Sequence, residues 1–304
     1  MSRACNIFPQ RNPNVVKELG DVGNDLQVYG ERLYAVINCS NLIEIMELST
    51  AKHIGTVSIA NCRYITFDKG YAYVSSYAGP VQVDPNARPG KIVKIDTATL
   101  SIVGECIVGY QPEEMAVVDN KLYVANSGGL DYNTALGYDN TVSVIDISTF
   151  SQVAKVEVTC NPAVVVAAGN EVYVASYGNY NDVPSTLQRI SPDGGVSVVE
   201  ECSNMTEICY NSGRLYGFFS SYDANWNATI TYQSYDVADK SVDTPWIKES
   251  FLPTPYKVCA AGEYVCVTSS DYINDGDTYL YDTDGMLVHT IPSGLNPVKA
   301  VVIE

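Results

Sequence analysis

Histidine is almost missing from this chain: His53 and His289 are the only two among 304 residues. Catalysis needs a positioned base, nucleophile or metal, and neither histidine is well placed to be the base. His53 falls in a short turn remote from the long loops, and His289 lies in an outer-strand run. Basic residues are also scarce, 18 Lys and Arg against 35 Asp and Glu, for a formal charge of −17 with no Lys/Arg run. Binding to nucleic acid requires a basic surface that displaces counterions, so that class is excluded. The acidity reads as solubility and self-repulsion, with cation attraction as the alternative. No run of about 18 apolar residues is present, so no helix is expected to span a membrane. The opening residues to Phe8 carry no apolar run and form no signal peptide. Nine cysteines occur, an odd number, and none forms a Cys-x-x-Cys pair. Neither a zinc site nor a disulfide framework is expected, and most of the cysteines read as small buried hydrophobes. Hydrophobic content of 46% with 17% charged residues suits a packed chain rather than a disordered one.

What is present is a repeat. Leu26-Gln-Val-Tyr-Gly-Glu-Arg-Leu-Tyr-Ala-Val is a β run, a two-residue turn and a second run. The same grammar returns at 65–74, 115–124, 164–174, 208–217 and 257–267, and Lys299-Ala-Val-Val-Ile begins it again. The turn residues tolerate positive φ, as tight hairpins demand. A third run follows each hairpin, as in Ile92-Val-Lys-Ile-Asp or Val142-Ser-Val-Ile-Asp. A turn such as Asp96-Thr-Ala-Thr then leads to a fourth. Four antiparallel strands make a blade that cannot bury its faces alone, so the fold class is all-β, a seven-bladed β-propeller. A β-sandwich has no reason to repeat this unit. One domain over 1–304 is expected, with blades starting near 24, 63, 113, 163, 206, 256 and 297. The closing blade is expected to be shared by 6–19 and 297–303. Its missing strands imply residues ahead of Met1 and a misplaced gene start.

Loops between second and third strands are long at 76–90, 126–140, 176–184, 220–228 and 269–277, whereas the other turns are short. Insertions confined to one face of a repeat protein mark its ligand face. These loops are rich in Tyr, Asn and Asp, which combine stiff contact area with adaptable hydrogen bonding. The candidate ligand-binding residues are Tyr77, Asp131, Tyr132, Tyr138, Asn140, Tyr177, Tyr180, Asn181, Tyr222, Trp226, Tyr272 and Asn274. Turn formation by Asn and Asp, with Tyr packed on top, explains any single loop as well. Blade starts add an inner ring, of which Arg63, Tyr64, Glu114 and Tyr256 join the candidates. Asn24, Glu113, Glu207, Lys257 and Lys299 complete that ring. Its charges either pair to close the channel mouth or floor the ligand site.

No catalytic group, metal site or cofactor is expected. Glu113 and Glu114 are neighbours on a strand, so alternation sends them to opposite faces. The run from Asp271 to Asp277 is acidic like a calcium loop, without EF-hand spacing or a terminal Glu. Gly128-Gly129 precedes no helix, which leaves a phosphate cradle unsupported.

Lys121-Leu-Tyr-Val-Ala-Asn-Ser, Asn140-Thr-Val-Ser-Val-Ile-Asp-Ile-Ser-Thr and the pairs Asn161-Pro162 and Asn296-Pro297 resemble the surface-layer-type (YVTN-like) seven-bladed propellers. Stretches 19–30, 126–132, 176–190 and 294–297 are similar to surface propeller lipoproteins of gut Bacteroidetes, which include cobalamin-capture proteins. The resemblance covers essentially the whole chain. It implies a non-catalytic, lipid-anchored module at the cell surface that captures a nutrient for an outer-membrane transporter, a corrinoid first. The lipidated leader of that group is missing here, and cysteine is abundant for an exported protein. The alternatives are a protein-interaction scaffold of an uptake complex and a propeller lyase or hydrolase.

Overall fold

A computed structural model describes residues 7–14, 19–79, 88–129, 137–223, 225, 227–248, 252 and 254–303. The chain divides into a longer compact unit, 6–197, and a shorter one from 198 onward. In the longer unit β1 (Gly23–Tyr29), β2 (Arg32–Ile37), β3 (Leu42–Glu47) and β4 (His53–Ser58) form the first sheet. The second holds β5 (Cys62–Asp68), β6 (Tyr71–Ser76), β7 (Lys91–Asp96) and β8 (Ser101–Ile107). The third holds β9 (Pro112–Val118), β10 (Lys121–Asn126), β11 (Thr141–Asp146) and β12 (Ser151–Glu157). The fourth holds β13 (Pro162–Ala168), β14 (Glu171–Ser176), β15 (Thr186–Ile190) and β16 (Val196–Val198). In the shorter unit β17 (Glu207–Asn211), β18 (Arg214–Tyr222), β19 (Ala228–Asp236) and β20 (Val242–Asp243) form one sheet. The other is β21 (Pro255–Ala261), β22 (Tyr264–Ser269), β23 (Asp275–Tyr281) and β24 (Leu287–Leu295). Every pairing is antiparallel between strands consecutive in sequence, and the architecture is that of an all-β propeller.

Turn chemistry explains the hairpins. Lys69–Gly70, Asp119–Asn120 and Ser212–Gly213 place both turn residues at positive φ, the type I′ pattern that matches strand twist. Each third strand that ends in Asp turns on that side chain: Asp96 accepts the N–H of Ala98 and Thr99, and Asp146 that of Thr149.

Continuous apolar runs follow from sheets that are buried on both faces. Val74 and Val93 face the first blade, where they join Val36, Ile43 and Ile45. One residue along each strand, Tyr73 and Ile92 face the third blade with Leu122, Val124 and Ile145. In the shorter unit Trp246 fills the equivalent space against Tyr216, Tyr232 and Tyr281, donating its Nε1–H to the Gly217 carbonyl at 3.2 Å. Burying one such aliphatic side chain stabilises by about 1.5–3 kcal/mol.

The described residues form six blades, not the expected seven. Residues 297–303 join no strand ladder among the described residues. They lie beside β21, with the Ala300 N–H on the Cys259 Sγ at 3.5 Å and Val302 against Gly262. Where an outer strand was expected within 6–19, the described residues 7–14 form a short helix, α1 (Ile7–Arg11), and a turn. Pro9 and Pro13 remove donors that a strand ladder requires. Phe8 is buried against Ala35, Ile37 and Met46, and Asn12 bonds the Ala51 carbonyl and the His53 N–H. Those contacts fix the segment as a helical strap on the first blade. The eight described cysteines are free thiols, six of them buried, and burial pushes Cys62 up to about 11 and Cys202 to about 12.

Candidate functional site

Inner strands open irregularly. Cys62 faces Ser76 and Ile65 faces Val74, so Arg63 and Tyr64 together oppose one residue, Ser75. Glu113 and Glu114 likewise oppose Ala125, and Tyr256 and Lys257 oppose Thr268. These are β-bulges, which re-aim side chains at a blade end. Simple alternation therefore does not describe Glu113 and Glu114. The extra N–H groups are not stranded: that of Tyr64 meets the Ser75 hydroxyl and that of Lys257 the Thr268 hydroxyl, both at 3.1 Å.

In the longer unit the bulges build a buried polar cluster. Arg63 donates to both oxygens of Glu113, at 3.2 and 3.4 Å, and to Asn24 Oδ1 at 3.1 Å. Asn24 returns a hydrogen bond to the Arg63 carbonyl at 2.9 Å. The Tyr77 hydroxyl donates to Glu113, and the guanidinium carbon lies 4.9 Å from the Tyr77 ring centroid. Burial works against the Arg63 charge, but the Glu113 carboxylate, together with Tyr77 and Tyr64, outweighs it and holds Arg63 more firmly protonated than usual. Burial first, and then Glu113, push the Tyr77 hydroxyl well above its ordinary range. The raised hydroxyl stays protonated, and the cluster ties together side chains from the first, second and third blades. Tyr77 thus belongs to the floor, not to the exposed rim.

Three of the long loops are locked by an Asn or Asp side chain, one in the longer unit and two in the shorter. Asn179 Oδ1 accepts the N–H of Asn181 and Val183, while its amide and that of Asn181 donate to Asp182. In the shorter unit Asp223 Oδ1 accepts from Asn225 and Asn227 N–H and its Oδ2 from the Asn227 amide. Asp271 repeats this with Ile273 and Asn274, and the Asn274 N–H foremost, then its amide, hold that carboxyl down at about 2. Tyr180 and Tyr272 sit at φ 57° and 63°, a left-handed backbone that is unfavourable for a bulky residue. They are 75% and 68% exposed, and Tyr222 in the shorter unit is 61% exposed.

Among the predicted residues, the structure joins Arg63, Tyr64 and Tyr77 around Glu113, and pairs Tyr138 with Tyr180 at 6.4 Å between ring centroids. In the shorter unit it sets Tyr256 edge-on to Tyr272 at 5.6 Å. Tyr222, Lys257 and Glu207 are near enough to Tyr272 to act on its hydroxyl, though burial is the main reason that group is raised. Lys257 pairs with Glu207 at 2.7 Å. Asn181 and Asn274 are engaged within their loops, Asn140 is exposed and Tyr177 half-buried. Glu114 lies in the β9 bulge. Asp131, Tyr132 and Trp226 lie outside the described residues. Sequence reasoning passed over Ile273, 83% exposed beside Tyr272, whose signal was an apolar residue within an acidic loop. Among the described residues, no group of three or more His, Cys, Asp or Glu is placed to hold a metal ion.

No protein-family model matches the chain, and no curated protein matches it in sequence. Solved structures do share the fold. A chain titled Kuenenia stuttgartiensis Hydrazine Synthase aligns over 90% of this chain and 88% of its own length, with a TM-score of 0.69 and 16% identity. At that identity the likeness establishes the β-propeller fold and nothing about activity.

Proposed function

We propose that this chain is a non-catalytic, ligand-binding propeller of the surface-layer type, displayed at the cell surface. There it captures a nutrient, a corrinoid first among candidates, for an outer-membrane transporter. The observation that carries this reading is the placement of Tyr180 and Tyr272, exposed rings held in an unfavourable backbone conformation by internally bonded loops. Unfavourable backbone of this kind persists where surrounding structure enforces it, and it clusters at binding sites. The aromatic rings are stiff, amphipathic contact surfaces of the kind that anchors ligands. Titration with cobalamin by calorimetry tests the reading. Saturable heat is expected, and absence of heat at high ligand concentration removes the corrinoid. Ile273, projecting beside Tyr272, favours a second reading, docking on the transporter itself. A complex with a purified transporter that is lost on Ile273→Asp and needs no small molecule supports that reading.

A further inference from the structure

The three locked loops share a division of labour. Their Asn and Asp side chains point back into the loop, and their tyrosines lie at the exposed margin. A carboxylate offers about four acceptor sites, and Asp223 and Asp271 each use three of them on their own loop. Asn179 uses both its oxygen and its amide. A calcium ion would require six to eight oxygens, and these oxygens already hold backbone N–H groups and side-chain amides of their own loops. An anion meets a chain of formal charge −17. Ring surface lies outward: Tyr180, with Tyr138 beside it, in the longer unit, and Tyr222 and Tyr272, the latter with Tyr256 edge-on, in the shorter.

We infer that the acidic and amide side chains of these loops are struts and that recognition falls on the tyrosine rings, so that the ligand is an uncharged molecule with a flat, CH-rich face rather than a metal ion or an anion. This rests on the binding reading above and narrows it. Asp271 is on this view a positioning residue. Its hydrogen bonds to Ile273 and Asn274 close the turn that carries Tyr272, and the Ser270 hydroxyl accepts the Tyr272 N–H at 2.9 Å from the other side.

The test titrates the full chain with cyanocobalamin, a probe of zero net charge, at low and high NaCl, with calcium and with a chelator. Affinity is expected to change by less than about twofold across these conditions, because no exposed charge pair forms that salt would screen. Tyr272→Asn is expected to weaken binding by about 30-fold, the loss of one aromatic anchor. Asp271→Ala is expected to weaken it by about tenfold through the freed turn. Asp271→Asn restores most of that, since its carbonyl oxygen still accepts the two N–H groups. A requirement for calcium, a salt-dependent fall of more than about tenfold, or an Asp271→Asn as damaging as Asp271→Ala overturns the inference and leaves the binding reading standing. Absence of saturable binding removes the corrinoid, and this inference with it.

Discussion

Replacing Tyr180 by Asn is expected to stabilise the fold. Left-handed backbone costs a residue with a Cβ about 1–2 kcal/mol, and Asn is among the few that visit it routinely. Tyr180 sits at φ 57° with three quarters of its surface exposed, so little is given up on removing the ring. About a quarter of a large apolar side chain is worth roughly 0.5 kcal/mol. The tilted contact with Tyr138, at 6.4 Å, is worth roughly another 0.5 kcal/mol. The balance favours Asn by roughly 0.5 kcal/mol, and a structural role predicts the opposite sign. Tyr173 on β14, 1% exposed, supplies the contrast: its replacement by Asn is expected to destabilise by at least about 3 kcal/mol. Urea unfolding reads both variants as a shift in midpoint at constant slope. If Tyr180→Asn destabilises by more than about 1 kcal/mol, the ring is holding the loop together, and the inference from backbone conformation to ligand contact fails.

Three further outcomes follow from the geometry. Arg63→Met leaves the Glu113 carboxylate, only 11% exposed, without its cation, and about 3 kcal/mol of stability is expected to be lost. Combining it with Glu113→Gln should recover much of that, whereas additive losses in the double-mutant cycle would show that the two are uncoupled. The carboxyls of Asp96, Asp146, Asp182, Asp223 and Asp271 are all lowered by the N–H groups they accept. A lowered folded-state value means that their contribution is present in full above the unfolded value near 4 and fades as pH falls toward about 2. Thermal midpoints measured from pH 5 downward should therefore drop in that window, and a flat profile there refutes these turns as contributors. Phe8→Ala is expected to cost about 3 kcal/mol and to release α1, seen as faster amide exchange in 7–12 with the blades unchanged.

The four-strand repeat is legible in the chain because hairpin turns and short continuous apolar runs are local signals. Lys121-Leu-Tyr-Val and its equivalents announce second strands without any tertiary information. The closing blade was misjudged because the described residues 7–14 carry Pro9 and Pro13 and hold α1, and because Lys299-Ala-Val-Val-Ile copies an inner strand yet joins no described ladder. Within the candidate site the aromatic loops could be read from composition, but the fate of their polar atoms could not. Asn181 and Asn274 look like ligand contacts in a string of letters. Only coordinates reveal that Asp182 and Asp271 already engage them. The bulges were equally hidden: Arg63-Tyr64, Glu113-Glu114 and Tyr256-Lys257 each depend on a register slip against the second strand, which depends on pairing rather than on residue type.

Because Val74 and Tyr73 look into different cores from one strand, each interior sheet of the longer unit is a partition common to two compartments. A defect on one side of such a wall presses through the backbone onto the other. A cavity made at Val74 should therefore loosen contacts around Leu122 as well as those around Ile43, so that damage spreads along the row of blades instead of staying in the one that was altered.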